Sequence, residues 1–311
     1  MTVAAAAAPG RRWTLSAPWR MALASLLFAL MGVGVKFASA QYGAGEIVFY
    51  RSLMGLVLMA GLLRLRGLSW RTPVPAMHFW RSASGTTALC LWFYAIGVLP
   101  LATAMTLNYT APVWIALFLM GGTVLLGPGR AGVDGRVVTA VMAGFAGVLL
   151  VLRPTLQQEQ LWGGLIALLS GLLSAMAYLQ VSALGRIGEP GERVVFYFSL
   201  SGVVAGLALA LASGGLHAHT LRGALLLLAI GALATVAQWL MTSAYAAGSA
   251  MAISALQYLG IAYAFGLGVW LFDDPVTLPA LAGMALIVAA GIAATQLRGR
   301  APRSDASPTE T

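Results

Sequence analysis

A chain of 311 residues that is 60% hydrophobic and only 9% charged is no ordinary soluble domain, in which about a quarter of residues carry charge. Its formal charge of +9 does not point to nucleic acid, because the arginines fall at the ends of apolar segments, where basic residues orient membrane helices. Cys90 is the lone cysteine, which excludes an intrachain disulfide, and His78, His217 and His219 show no spacing that calls for a metal or other cofactor.

Residues 1–18 are polar or alanine-rich, carry Arg11 and Arg12, and read as a cytoplasmic tail. The first apolar run, Arg20 to Ala40, is about 20 residues long, enough to cross a bilayer core. Ala38-Ser39-Ala40 imitates a signal-peptidase site. Lys36 sits where such a site is small and neutral, so the run reads as a retained helix. Nine further spans are predicted at residues 46–63, 79–98, 101–126, 134–152, 161–184, 192–213, 221–243, 248–272 and 276–297. Residues 298–311, with Pro302, Ser304, Ser307 and Pro308, read as a disordered cytoplasmic tail.

Fourteen arginines fall on the side that holds both termini, and only Arg153 and Arg222 on the other, so both termini are expected in the cytoplasm. Trp92 to Leu126 has a blurred echo in Trp239 to Phe272. Each copy reads as two apolar helices joined by a very short turn, with amides, hydroxyls and aromatics in the second helix. Residues 19–155 and 156–297 then form two repeats of five spans each. Five is odd, so the second repeat enters the membrane from the opposite side. The predicted fold is an all-α integral membrane protein, ten transmembrane helices arranged as two inverted five-helix repeats. Transporters of that plan place their substrate near the midplane between the repeats.

Several short motifs carry a family resemblance. They are Phe28-Ala29-Leu30-Met31 through Val35-Lys36, Glu46-Ile47-Val48-Phe49-Tyr50-Arg51-Ser52 and Leu107-Asn108-Tyr109-Thr110-Ala111-Pro112, then Gly147 through Arg153-Pro154, Leu256-Gln257-Tyr258 and Gly283 to Gly291. Together they resemble the EamA-type ten-helix transporters of the drug/metabolite transporter superfamily. The resemblance implies export of amino acids, their derivatives or related metabolites. Family members often close the fourth and ninth helices with Gly-Glu. Here those places read Gly127-Pro128 and Asp273-Asp274-Pro275, so no role of those glutamates carries over.

Charges at the membrane are costly and are usually paired or functional. Lys36, Glu46 and Arg51 lie where the first helix ends and the second begins, and read as a mutual ion-pair or gating group. A direct contact of Arg51 with an anionic cargo is the other reading. Asn108, Tyr109 and Thr110 precede Pro112, which removes a backbone donor and frees a carbonyl near Asn108. Asn108 reads equally as interhelical glue or as site. Thr235, Gln238, Thr242 and Tyr245 form one polar stripe along the eighth helix, and Ser170, Ser174 and Tyr178 a shorter one along the sixth. The candidate substrate lining is Tyr94, Asn108, Tyr109, Tyr178, Gln238, Trp239, Thr242, Gln257 and Tyr258.

The predicted activity is secondary transport of a small polar or amphipathic metabolite across a bacterial-type inner membrane, outward by alternating access. Uptake of a vitamin or nucleoside-like compound uses the same architecture. The lining lacks a carboxylate, which favours a neutral or zwitterionic cargo over a strongly cationic one. No acidic or histidine residue is evident in the core, so facilitated diffusion or exchange is expected before proton coupling through Glu46. The expected partners are the small-molecule substrate, the lipid bilayer and a second copy in a homodimer. Clustered nucleophiles, bases or metal ligands are not evident, which argues against an enzyme.

Overall fold

The computed structural model describes residues 15–99, 106–126, 135–152, 161–272 and 276–298, and the regular elements in them are helical. The basic pair Arg11-Arg12, the turns at Gly127-Pro128 and Asp273-Asp274-Pro275, Arg153 and the tail beyond Arg298 lie outside the described residues. The helices are α1 (Ala17–Ala38), α2 (Ala44–Leu65), α3 (Pro75–Val98), α4 (Ala111–Leu126), α5 (Gly135–Leu152), α6 (Leu161–Arg186), α7 (Gly191–Ala212), α8 (Leu221–Ala247), α9 (Ala250–Ala255), α10 (Leu259–Phe272) and α11 (Leu278–Arg298).

Their ends follow from local chemistry. Proline stands in the first turn of α1 and α3, where its missing N–H costs nothing. Thr220 caps α8 by accepting from the Gly223 amide at 3.0 Å. Gly67 and Gly188 follow α2 and α6 at φ of 64° and 80°, left-handed turns that let Leu68 N reach Leu63 O at 2.9 Å and Glu189 N reach Leu184 O at 3.0 Å.

Six spans among the described residues are long and apolar enough to cross a membrane, namely α1, α2, α6, α7, α8 and the joined α9–α10. The other four expected spans fall short of that measure. In α3 the residues Arg81, Ser82, Ser84, Thr86 and Thr87 dilute the apolar run, and the apolar stretches of α4, α5 and α11 are shorter. Outward faces are nevertheless apolar. Leu58, Val204, Leu211, Leu225 and Leu228 are exposed along the helices, and Trp19, Trp80, Trp162 and Trp270 are exposed near helix ends. That is how a chain embedded in lipid presents itself. The protein is a multi-pass helical membrane protein.

Contacts distant in sequence follow a symmetric rule. α2 packs on α7, α5 on α11 and α4 on α9, while α1 packs on α8 and α3 on α6. Counted within each half, second meets second, fourth meets fourth and fifth meets fifth. First meets third, and third meets first. Such an exchange is what a two-fold relation between the halves would give.

The α2–α7 crossing shows the relation at atomic scale. A Cβ on Gly55 would lie 2.6 Å from Ser199 Oγ, and a Cβ on Gly202 would lie 2.4 Å from Ser52 Oγ. The sequence carries the same symmetry, since Phe49-Tyr50-Arg51-Ser52 and Gly55 is matched at one offset by Phe196-Tyr197-Phe198-Ser199 and Gly202. That repeat is clearer than the one between Trp92 and Trp239, and it is what reveals the counterpart of Arg51 to be Phe198.

One predicted span is corrected. Residues 248–272 do not run as a single helix, because a 3-10 turn at Leu256–Tyr258 separates α9 from α10. The first copy breaks at the matching place, with a turn at Tyr109-Thr110 just before α4. There Pro112 supplies the cause, since it can donate no bond to the Asn108 carbonyl. Hydroxyls add to the backbone bonds on the carbonyls beside the breaks. Thr110 Oγ1 donates to Leu107 O at 2.6 Å, and Ser25 Oγ of α1 donates to Leu256 O at 3.4 Å. Gly171 of α6 makes room for the first break, as a Cβ there would be 2.5 Å from Thr110 Oγ1 and 2.9 Å from Leu107 O.

Candidate functional site

The helix breaks bring four of the nine predicted lining residues near one another, Tyr109, Tyr178, Gln257 and Tyr258. Gln257, in the second break, donates from Nε2 to the Tyr245 hydroxyl at 2.7 Å and lies within hydrogen-bonding reach of Tyr178. The Tyr178 and Tyr245 rings stack with centroids 5.1 Å apart and planes only 9° from parallel. Tyr109 is an electrostatic neighbour of Tyr178, and Tyr258 of Tyr245, so four phenol hydroxyls and one amide share a region between the halves. Tyr258 is fully buried, its ring packed with Val148, Ile261 and Ile287, and its hydroxyl has no hydrogen-bond partner among the described residues.

A second group lies along the α2–α7 crossing. Arg51, Ser52, Gly55, Phe198, Ser199, Thr235 and Gln238 are among the residues lining a cavity of about 10 Å³, room for roughly one water molecule. Gln238 Nε2 and Thr242 Oγ1 are buried without a hydrogen-bond partner among the described residues. Thr235 spends its hydroxyl on its own helix, donating to Gly231 O at 2.7 Å.

Two arginines border this polar core. Arg51 stands about two turns into α2 and Arg81 nearly two turns into α3, each roughly 10 Å from its helix end. Arg81 was expected on the cytoplasmic surface by its place in the sequence, but it is only 2% exposed. Its guanidinium lies 4.4 Å from the centre of the Phe198 ring, and its Nε and Nη1 lack a hydrogen-bond partner among the described residues. A cation–π contact contributes about 0.5–2 kcal/mol. Burying an ion costs several kcal/mol, so the ring alone does not compensate this charge. Gly85 completes the niche, since a Cβ there would stand 2.2 Å from Arg81 Nη1.

The expected ion-pair group is corrected as well. Glu46, 1% exposed, does not pair with Arg51. It accepts from the backbone N–H of His217 at 3.0 Å and meets His217 Nδ1 at 2.8 Å, joining α2 to the segment between α7 and α8. Nothing of the Lys36 side chain belongs to the described structure. Beside this pair His219 lies 2.8 Å from the Tyr50 hydroxyl and 3.2 Å from that of Tyr42. Arg51 is free of that cluster because its turn of α2 faces α7 and α8, away from α1.

The α2–α3 end is closed by a different cluster. Arg66 pairs with Glu192, Glu189 accepts from Arg193 Nη1 at 2.7 Å and from the Thr72 hydroxyl, and buried His78 lies 3.6 Å from Glu189. His78 and Glu189 are thus a buried imidazole and a buried carboxylate at this end of the bundle, a pairing with no signal in the sequence. Trp239 belongs to this end, under the Arg66 guanidinium at 5.3 Å from its ring centre, and not to the tyrosine group. Tyr94 lies apart as well, 55% exposed on the outer face of α3. Asn108 serves as glue. Its Nδ2 donates to Ser170 Oγ at 2.7 Å, and Ser170 donates to Ala88 O at 2.8 Å, tying the first break to α6 and α3.

A polar core between two helical halves, bounded at each end by its own ion cluster, is the plan of a membrane transporter. No protein-family model matches the chain. It is 32% identical over 280 residues to the pseudopaline exporter CntI of Pseudomonas aeruginosa, covering 89% of this chain and 94% of that one. It is 27% identical to an uncharacterized transporter of Helicobacter pylori, covering 87% and 91%, and 30% identical to a riboflavin transporter of Rhizobium johnstonii, covering 77% of each. A solved crystal structure superposes with a TM-score of 0.78 over 91% of this chain and 99% of that one, at 19% identity, a likeness of fold. The chain belongs to the drug/metabolite transporter superfamily. It is a secondary transporter.

Proposed function

We propose that this chain is an EamA-type carrier of ten transmembrane helices, built as two inverted five-helix repeats, that exports a small polar, amino-acid-derived metabolite across the inner membrane. The exchange of helix partners between the halves supports the inverted repeats, and the arginine distribution supports cytoplasmic termini. One observation carries the transport mechanism, namely that separate ion clusters close the polar core at its two ends. Release of Glu46 from His217 opens the α1–α2 end. Release of Arg66 from Glu192 and of Thr72 from Glu189 opens the opposite one. Alternating access requires that the two not open together.

The substrate class follows the pseudopaline exporter, a relative matched over 89% of this chain and 94% of its own. Riboflavin transporters among the relatives favour a second reading, movement of a flat ring compound, which the tyrosine stack suits. Metabolite profiles of cells and medium, with and without the protein, decide between them. A compound kept inside when the protein is missing is the exported cargo. A flavin depleted inside and left over in the medium establishes the second reading, and unchanged profiles overturn both.

A further inference from the structure

We infer that the cargo is an anion, its carboxylate or phosphate oxygens held between Arg51 and Arg81. This rests on the transport reading above and names the charge of what is carried. The chain has 9 acidic residues, of which Glu46, Glu189 and Glu192 lie among the described ones. All three are engaged at the ends of the bundle, Glu46 by His217, Glu189 by Arg193 and Thr72, and Glu192 by Arg66. Neither Arg51 nor Arg81 has a carboxylate partner among the described residues, although they are only 8% and 2% exposed.

Buried cations that no protein anion compensates are expensive, and they persist where a ligand supplies the missing charge. The neighbouring groups point the same way. Phe198 joins the two arginines, lining the cavity beside Arg51 and stacking under Arg81. Tyr178 is an electrostatic neighbour of both guanidinium groups. Arg81 Nε and Nη1 and the cavity-lining Gln238 Nε2, none with a hydrogen-bond partner among the described residues, all offer a proton to an acceptor. Guanidinium forks suit planar carboxylates and phosphates alike, and a cation would meet two like charges here. The expectation of a neutral or zwitterionic cargo, drawn from the missing carboxylate alone, overlooked Arg81 because its position in the sequence suggested a cytoplasmic surface.

The test uses the full-length protein in liposomes loaded with the water-soluble metabolite extract of cells that lack it. Mass spectrometry reads which compounds leave, sorted by charge and by carboxylate or phosphate content. Compounds with net negative charge should leave, and their efflux should fall at least about thirtyfold in Arg51→Gln and in Arg81→Gln. Arg51→Lys and Arg81→Lys, which keep the charge, should recover part of it. Whether carboxylates or phosphates predominate identifies the oxyanion. Efflux restricted to neutral, zwitterionic or cationic compounds overturns the inference and leaves the transport reading standing. So does normal anion efflux in either glutamine variant. If a folded wild-type protein releases nothing, the transport reading falls with it.

Discussion

Gly206→Ala probes the α2–α7 crossing at its least forgiving point. The new methyl would stand 2.5 Å from the Phe49 amide nitrogen and 2.8 Å from Phe49 Cα, both backbone atoms that cannot rotate away. Ordinary contact begins at 3.4 Å, so the helices must part by about 0.9 Å. Overpacking of this kind costs about 3 kcal/mol at its upper range, and the better helix propensity of alanine returns about 1 kcal/mol. A net loss of about 2 kcal/mol follows. Gly55→Ala is the control, because its methyl meets Ser199 Oγ at 2.6 Å, and with that oxygen removed the nearest atoms are Thr235 Oγ1 at 3.3 Å and Ser199 Cβ at 3.4 Å. Ser199→Ala should therefore stabilise Gly55→Ala by about 1 kcal/mol and do nothing for Gly206→Ala, a coupling that a double-mutant cycle isolates. The assay is thermal unfolding of the full-length protein in detergent. Wild-type melting of Gly206→Ala, or equal rescue of both by Ser199→Ala, would refute the packing argument.

Tyr245→Phe removes the hydroxyl that accepts from Gln257, which should lower stability by about 1 kcal/mol in thermal unfolding. Tyr258→Phe deletes a hydroxyl without a partner among the described residues and should leave melting nearly unchanged. Asn108→Ala breaks the bond to Ser170 and should cost about 1 kcal/mol in thermal unfolding while transport continues, as befits glue. Glu46→Gln weakens the hold on His217, so a cysteine placed at Leu216 in a Cys90→Ser background should react faster with a water-soluble maleimide. Glu192→Gln acts at the other end and should not speed that reaction.

Much of this protein can be read from residue order alone. Apart from the two broken spans, at 101–126 and 248–272, apolar runs placed the helices to within a few residues, because an interval of bilayer length must satisfy its backbone internally, whatever its neighbours. The place of the first helix break was marked too, by Pro112, whereas the second, at Leu256–Tyr258, emerged only in the structure. The tyrosine and amide cluster was legible for the same reason, since polar side chains inside apolar helices require partners. What stayed hidden was direction and partnership. A helix turned by one residue moves a side chain about 100° around its axis, and only packing fixes that rotation. It decided that Tyr94 faces outward, that Trp239 lies under Arg66, and that Glu46 binds His217, 171 positions away. Above all it decided that Arg81, at a sequence position suited to a surface charge, lies in the core beside Phe198 without a carboxylate partner among the described residues. Partners on opposite halves have no local signal in the chain, because they meet only when the two repeats pack together.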